Sequence, residues 1–137
     1  MGRVLAIDLG TKRTGIAVTD ILKITANPLD TIRTMDLDKY LKDYFMKEDV
    51  EAIVVGYPKS MDGSDTQMTQ PAIRLKEKLA KSYPEKKVVL VDERFTSKMA
   101  MQSMIAMGSK KKDRKEKAGN LDKISAAIIL QTYLDQI

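Results

Sequence analysis

The chain has 137 residues, 43% of them hydrophobic, and carries 24 Lys and Arg against 19 Asp and Glu, a formal charge of +5. Chains of this size usually form one domain, so a single folded unit spanning 1–137 is expected. With no cysteine and no histidine, disulfides, thiol nucleophiles, thiolate zinc sites and every imidazole acid, base or ligand are excluded. What remains is the chemistry of carboxylates, lysines, hydroxyls and bound cations. The excess of basic residues favours a polyanionic partner. No run approaches the ~18–20 apolar residues of a membrane span, and the start MGRVLAIDLG lacks an apolar signal segment before its first charges. A cytoplasmic protein with no membrane partner is therefore expected.

Two apolar stretches, Arg3 to Leu9 and Thr14 to Thr19, flank the turn Gly10-Thr11-Lys12-Arg13 and predict an antiparallel hairpin. Asp8 shares a pleat with Val4 and Ala6, so its carboxylate lies where burial is costly unless it is paired or reaches water. A third extended segment is expected through Ile24 to Arg33, with Pro28 suited to an edge or a bulge. The spacing of Leu37, Tyr40, Leu41, Tyr44 and Phe45 predicts a helix capped by Asp36. EAIVVG then reads as a buried strand parallel to the first, because a helix crosses over before it.

The loop GYPKSMDGSDTQMT is long for a connection in so small a domain, and loops of that kind often bind something. A second helix is expected from about Gln70 to Ser82, followed by the strand KKVVLV, which ends at Asp92-Glu93-Arg94. A third helix, opened by Thr96 or Ser97, would stop at Gly108 and use its methionines as core filling. SKKKDRKEKAGN reads as a charged linker. In the last helix Ala126, Ile129, Leu130, Tyr133, Leu134 and Ile137 form an apolar stripe. One turn back, Asp122 continues that stripe and is expected to point inward. Asn120 as the cap, with Asp122 as a partner of the helix dipole, would explain its place along the helix but not its face.

Three acidic positions can now be compared: Asp8, the pair Asp92-Glu93, and Asp122. If the strands are parallel neighbours, their carboxyl ends share the edge where open α/β sheets place ligands. Carboxylates converging there would repel one another without a cation between them. Oxygen donors alone suit Mg²⁺ or Mn²⁺, ions that serve phosphodiester cleavage.

The segments AIDLGTKRTGIAV, VVGYPKSMDGS, VDERFTSKMA and LDKISAAIILQTYL resemble, in order and across nearly the whole chain, the successive motifs of the YqgF/RuvX family. That family is known as Holliday junction resolvases and is linked to pre-ribosomal RNA processing. The resemblance implies a ribonuclease H-like α/β fold: a mixed five-stranded sheet, its first three strands antiparallel, flanked by helices. It also implies a metal-dependent nuclease acting on structured nucleic acid, either at the 5′ end of the small-subunit ribosomal RNA precursor or on branched DNA. The family's acids fall on Asp8, Glu93 and Asp122, which would be both catalytic residues and ligands for Mg²⁺ or Mn²⁺. Asp92 is the neighbour in question, and the longer side chain of Glu93 favours Glu93.

Lys12 and Arg13 on the hairpin, Lys59 on the long loop, Arg94 beside the acids, and Lys110, Lys111 and Lys112 in the basic cluster are candidate phosphate contacts. A monomer and a weak homodimer are both compatible with the sequence. Two other functions fit parts of it. The segment DLGTKRTG also resembles the phosphate-binding hairpin of the actin, Hsp70 and sugar-kinase ATPases, although those proteins close two such domains around a nucleotide. A nucleic-acid-binding module without catalysis would make the three acids structural.

Overall fold

In Arg3–Leu9 (β1) the residues Val4 to Ile7 are all buried, as a strand covered on both faces requires. The chain reverses at 10–12 into Arg13–Thr19 (β2), which pairs antiparallel with β1 in the register Leu5↔Val18 to Leu9↔Thr14. A Cβ at Gly10 would lie 2.3 Å from the Arg13 carbonyl oxygen, so this tight turn excludes any side chain there. Ala26–Arg33 (β3) pairs antiparallel with β2 and forms one edge of the sheet. The register of β3 shifts between Ile16 and Ala17, whose partners are Asp30 and Pro28. Pro28 thus sits on an edge strand at a bulge, as expected, and β3 begins at Ala26 rather than Ile24.

The computed structural model describes residues 2–57, 66–92 and 118–136, with side chains from 122 onward in the last stretch. The expected helix from 96 to 108, residues 109–117 of the charged linker and most of the long loop lie outside the described residues, while 118–120, the expected end of that linker, are helical. A 3-10 turn at Thr34–Asp36 leads into the helix Leu37–Lys47 (α1). Asp36 stands at the cap position, but its side chain makes no capping bond. Instead its Oδ2 accepts from Arg33 Nε at 3.0 Å, since the preceding 3-10 turn brings that cation within reach.

Val50–Tyr57 (β4), the helix Thr69–Ser82 (α2), Lys87–Asp92 (β5) and the helix Ala118–Gln136 (α3) complete the order. The sheet runs β3-β2-β1-β4-β5, with β4 parallel to β1 and β5 parallel to β4. The sheet is mixed, with its first three strands antiparallel. Among the described residues no helix is long and apolar enough to cross a membrane.

Alternation splits the core between the two faces of the sheet. Leu5, Ile7, Ile16, Val18, Ile53 and Val55 face α1 and α2, meeting Leu37, Leu41, Leu75 and Leu79. The other face presents Val4, Ala6, Ala17, Ala52, Val54 and Val91 to Ala126, Ile129, Leu130 and Tyr133 of α3. Alanines in three neighbouring strands let that helix lie close to the sheet. The stripe predicted for α3 is therefore buried at those four positions and partly buried at Leu134, while Ile137 lies outside the described residues.

Candidate active site

Asp8 is the sixth residue of β1 and follows the parity of Val4 and Ala6 onto the α3 face of the sheet. Its partner across the hairpin is Gly15, and directly paired residues project to the same face. A Cβ built on Gly15 would lie 2.0 Å from the carbonyl oxygen of Asp122 and 2.9 Å from the Lys123 nitrogen. Only glycine lets the α3 backbone come this close. A glycine inside a strand often marks such an approach. The hairpin thus brings Asp8 and the Asp122 turn of α3 to one face at one end of the sheet. Both residues are partly buried.

The helix begins at Ala118, so Asn120 lies inside it and is not its cap, and the first turn holds no acid. Asp122 stands in the second turn, beyond the reach of an ordinary first-turn dipole contact. Its Oδ2 accepts a hydrogen bond from Arg13 Nε at 2.9 Å, across 109 positions of sequence. The two side chains are 55% and 27% exposed, so the pair is screened by water and contributes little stability. Gly10, Thr11, Lys12, Arg13 and Asp122 line a shallow cavity of about 230 Å³.

Thr34 braces this turn. Its hydroxyl donates to the Gly10 carbonyl at 2.7 Å and lies 2.8 Å from the buried Thr14 hydroxyl, while its N–H donates to the Lys12 carbonyl at 2.9 Å. Behind it, burial, aided by the nearby Asp30 carboxylate, pushes the Tyr40 phenol of α1 up to about 12. That phenol stays neutral across the physiological range. The sequence alone assigned no role to Gly15, inside the second apolar stretch, or to Thr34. The signal for Gly15 was its place one residue inside an apolar strand.

The parallel strands β1, β4 and β5 do bring their carboxyl ends to a common edge. Asp92 pairs with Tyr57 and follows the parity of Val88 and Leu90, which pack on the α1/α2 core. It therefore lies on the opposite face from Asp8. Lys12 is exposed on the turn and Arg13 is engaged with Asp122. Lys59, Glu93, Arg94, Lys110, Lys111 and Lys112 lie outside the described residues. Among the described residues no three potential metal-binding side chains gather at one point. Asp8 and Asp122, however, are oxygen donors of the kind Mg²⁺ and Mn²⁺ take, and Asp122 already holds a cation in Arg13.

A mixed five-stranded sheet in this order, with helices on both faces, is the ribonuclease H-like arrangement. The same fold is found in RuvC of T. thermophilus, solved in complex with a Holliday junction substrate: TM-score 0.57 at 14% identity, over 99% of this chain and 96% of that one. The model of the RuvX family, described as Holliday junction resolvase, matches residues 2–136, and the chain belongs to that family. A protein of Christiangramia forsetii named "Putative pre-16S rRNA nuclease" is 53% identical over 98% of each chain. One of Flavobacterium johnsoniae with the same name is 50% identical over 98% of this chain and 96% of its own. Family, relatives and fold together support a nuclease role.

Proposed function

We propose that this chain is a nuclease dependent on a divalent metal, that it works as one domain in the cytoplasm, and that it hydrolyses phosphodiester bonds in structured nucleic acid. The RNA precursor of the small ribosomal subunit is the first substrate in view, because relatives 53% and 50% identical to this chain carry that name. A branched DNA junction is the second, from the family's description. The observation that carries the reading is the approach of the Asp122 backbone onto Gly15, the partner of Asp8. It sets two carboxylates on one face at one end of the sheet.

Asp8, Asp122 and Glu93 would hold the ion, and the placement of Asp92 on the other face is what favours Glu93 over it. A bound Mg²⁺ or Mn²⁺ supplies charge for the phosphate oxygens and lowers the pKa of water. The chain's own part is to fix two oxygen donors on rigid elements, a strand covered on both faces and a packed helix, and to present Lys12 to the nucleic-acid backbone. In the reaction, water adds to phosphorus, one P–O bond breaks, and the leaving oxygen takes up a proton. Lys59, Arg94 and Lys110 to Lys112 would add phosphate contacts around the site.

The test is cleavage of an RNA carrying the 5′ precursor segment of small-subunit ribosomal RNA, run beside a four-way DNA junction, with Mg²⁺, with Mn²⁺ and with chelator. Cleavage should require the metal and disappear in a folded Asp8→Asn variant. Undiminished cleavage by that variant would exclude the two-carboxylate site.

A further inference from the structure

Arg13 opens β2 immediately after the hairpin turn and is fixed there by its backbone pairing with Arg33 across the β2–β3 ladder. Its guanidinium reaches back over the sheet edge to Asp122. Lys12 and Arg13 therefore share this lip of the site, with Arg33 paired to Arg13 through the backbone on the neighbouring strand. Arg33 is balanced by Asp36. Arg13 is balanced by a carboxylate that the proposed metal also needs.

A divalent ion and a guanidinium cannot both bind one carboxylate at full strength, because each takes up the same negative charge and they repel each other. The ion pair is exposed, and exposed pairs are held weakly. Beside it lies the 230 Å³ cavity walled by the turn and by Asp122, open to solvent and within reach of a side chain that pivots from β2. A guanidinium displaced from Asp122 would find a phosphate oxygen as an equivalent partner in that space.

We propose that Arg13 occupies Asp122 in the metal-free protein and transfers to a phosphate of the nucleic acid when a divalent ion takes the carboxylate. Metal binding and nucleic-acid binding are then coupled through this one side chain. The proposal rests on the metal-dependent reading above. It adds an order of events and a sign: Arg13 opposes metal binding in the free protein and favours nucleic-acid binding in the metal-loaded one.

Calorimetric titration of Mn²⁺ into the wild type, Arg13→Gln and Arg13→Lys provides the test, beside four-way-junction binding measured against salt in Ca²⁺ and in chelator. Because the Arg13 side chain is half exposed, both variants should unfold at close to the wild-type temperature. Arg13→Gln should raise Mn²⁺ affinity about two- to fivefold, the worth of an exposed ion pair, while Arg13→Lys, which keeps the charge, stays near the wild type. On the junction, Arg13→Gln should reduce the logarithmic salt slope by ~0.9 in Ca²⁺ and change it little in chelator. Unchanged or weaker Mn²⁺ binding by Arg13→Gln would overturn the transfer and make Arg13 a residue that positions Asp122. Absence of Mn²⁺ binding by the folded wild type would instead overturn the metal site itself, and the transfer with it.

Discussion

Both ends of the sheet are tied by ion pairs between distant segments, and the ties are built differently. At the end where β1 and β4 begin, Glu51 accepts from Lys23 Nζ at 2.6 Å and from the Gly2 N–H at 3.1 Å. Lys23 is presented by a turn that Asp20 closes, its Oδ1 accepting from the N–H groups of Ile24 and Thr25. Lys23 itself adopts a left-handed backbone, with φ 58°. Arg3 there reaches both Glu48 and the Thr19 carbonyl. Each of these charges has a partner that closes the fold. At the other end Asp122 meets Arg13 and shares its face with Asp8. The contrast separates an acid that serves the fold from the acids that the proposed metal site would use.

The largest expected effect breaks the comparison at its functional end. Asp122→Asn should cut cleavage by orders of magnitude. Its thermal stability should change by less than about 1 kcal/mol, since the ion pair it loses is exposed. A cleavage time course with a melting curve on the same sample checks both halves. Stability lost with cleavage retained would return Asp122 to a structural role.

Next comes Gly15→Ala, whose methyl group would meet the α3 backbone rather than a side chain that can turn aside. Overpacking of this kind costs roughly 3 kcal/mol. Denaturant unfolding should show that loss, and the protein that remains folded should bind Mn²⁺ more weakly, because the helix has been lifted from Asp8. Normal stability of the Gly15→Ala variant would mean that α3 does not bear on the hairpin.

A smaller loss is expected for Thr34→Val, which keeps the shape but removes the hydroxyl from the Gly10 carbonyl and from the buried Thr14 hydroxyl. Leaving such a group without its partner costs about 1–3 kcal/mol, measurable by urea titration. Weakened junction binding should accompany it, since the turn that carries Lys12 loses its brace.

The smallest effect sharpens the other end. The hydrogen bond from Lys23, joined by the Gly2 N–H, holds the Glu51 carboxyl below its ordinary value of 4.5. A depressed folded-state pKa stabilises above the unfolded value and loses that contribution as pH falls through the folded one. Wild type should therefore exceed Glu51→Gln modestly in melting temperature at neutral pH. The gap should close as the pH drops below about 4.5, and cleavage at neutral pH should be equal in the two proteins. A gap that persists in acid would mean that the ion pair is not its source.

Much of this was legible in the chain. Asp8 on one pleat with Val4 and Ala6, the hairpin, the bulged edge at Pro28, the parallel placement of β4 and the buried stripe of α3 all follow from alternation, turn chemistry and helical period. These are local rules acting over a few residues. The pairing of Arg13 with Asp122 spans 109 positions, and no period in the sequence records it. Gly15 was hidden for a related reason: a glycine's neighbours in sequence do not reveal that a helix backbone from the far end of the chain will press on it. Asn120 misled because it is a good cap by type, and Asp36 takes the cap position without the capping bond that its type suggests. Ala118 already starts the one helix, and Arg33 takes the carboxylate at the start of the other.

The central claim, that Asp8 and Asp122 are gathered to hold a divalent ion, is tested most directly by a crystal soaked in Mn²⁺ and measured for anomalous scattering. The account predicts a peak at ~2.0–2.3 Å from a carboxylate oxygen of each residue, with the Arg13 guanidinium withdrawn from Asp122. A fully soaked crystal with no peak there, and Arg13 still on Asp122, would contradict it.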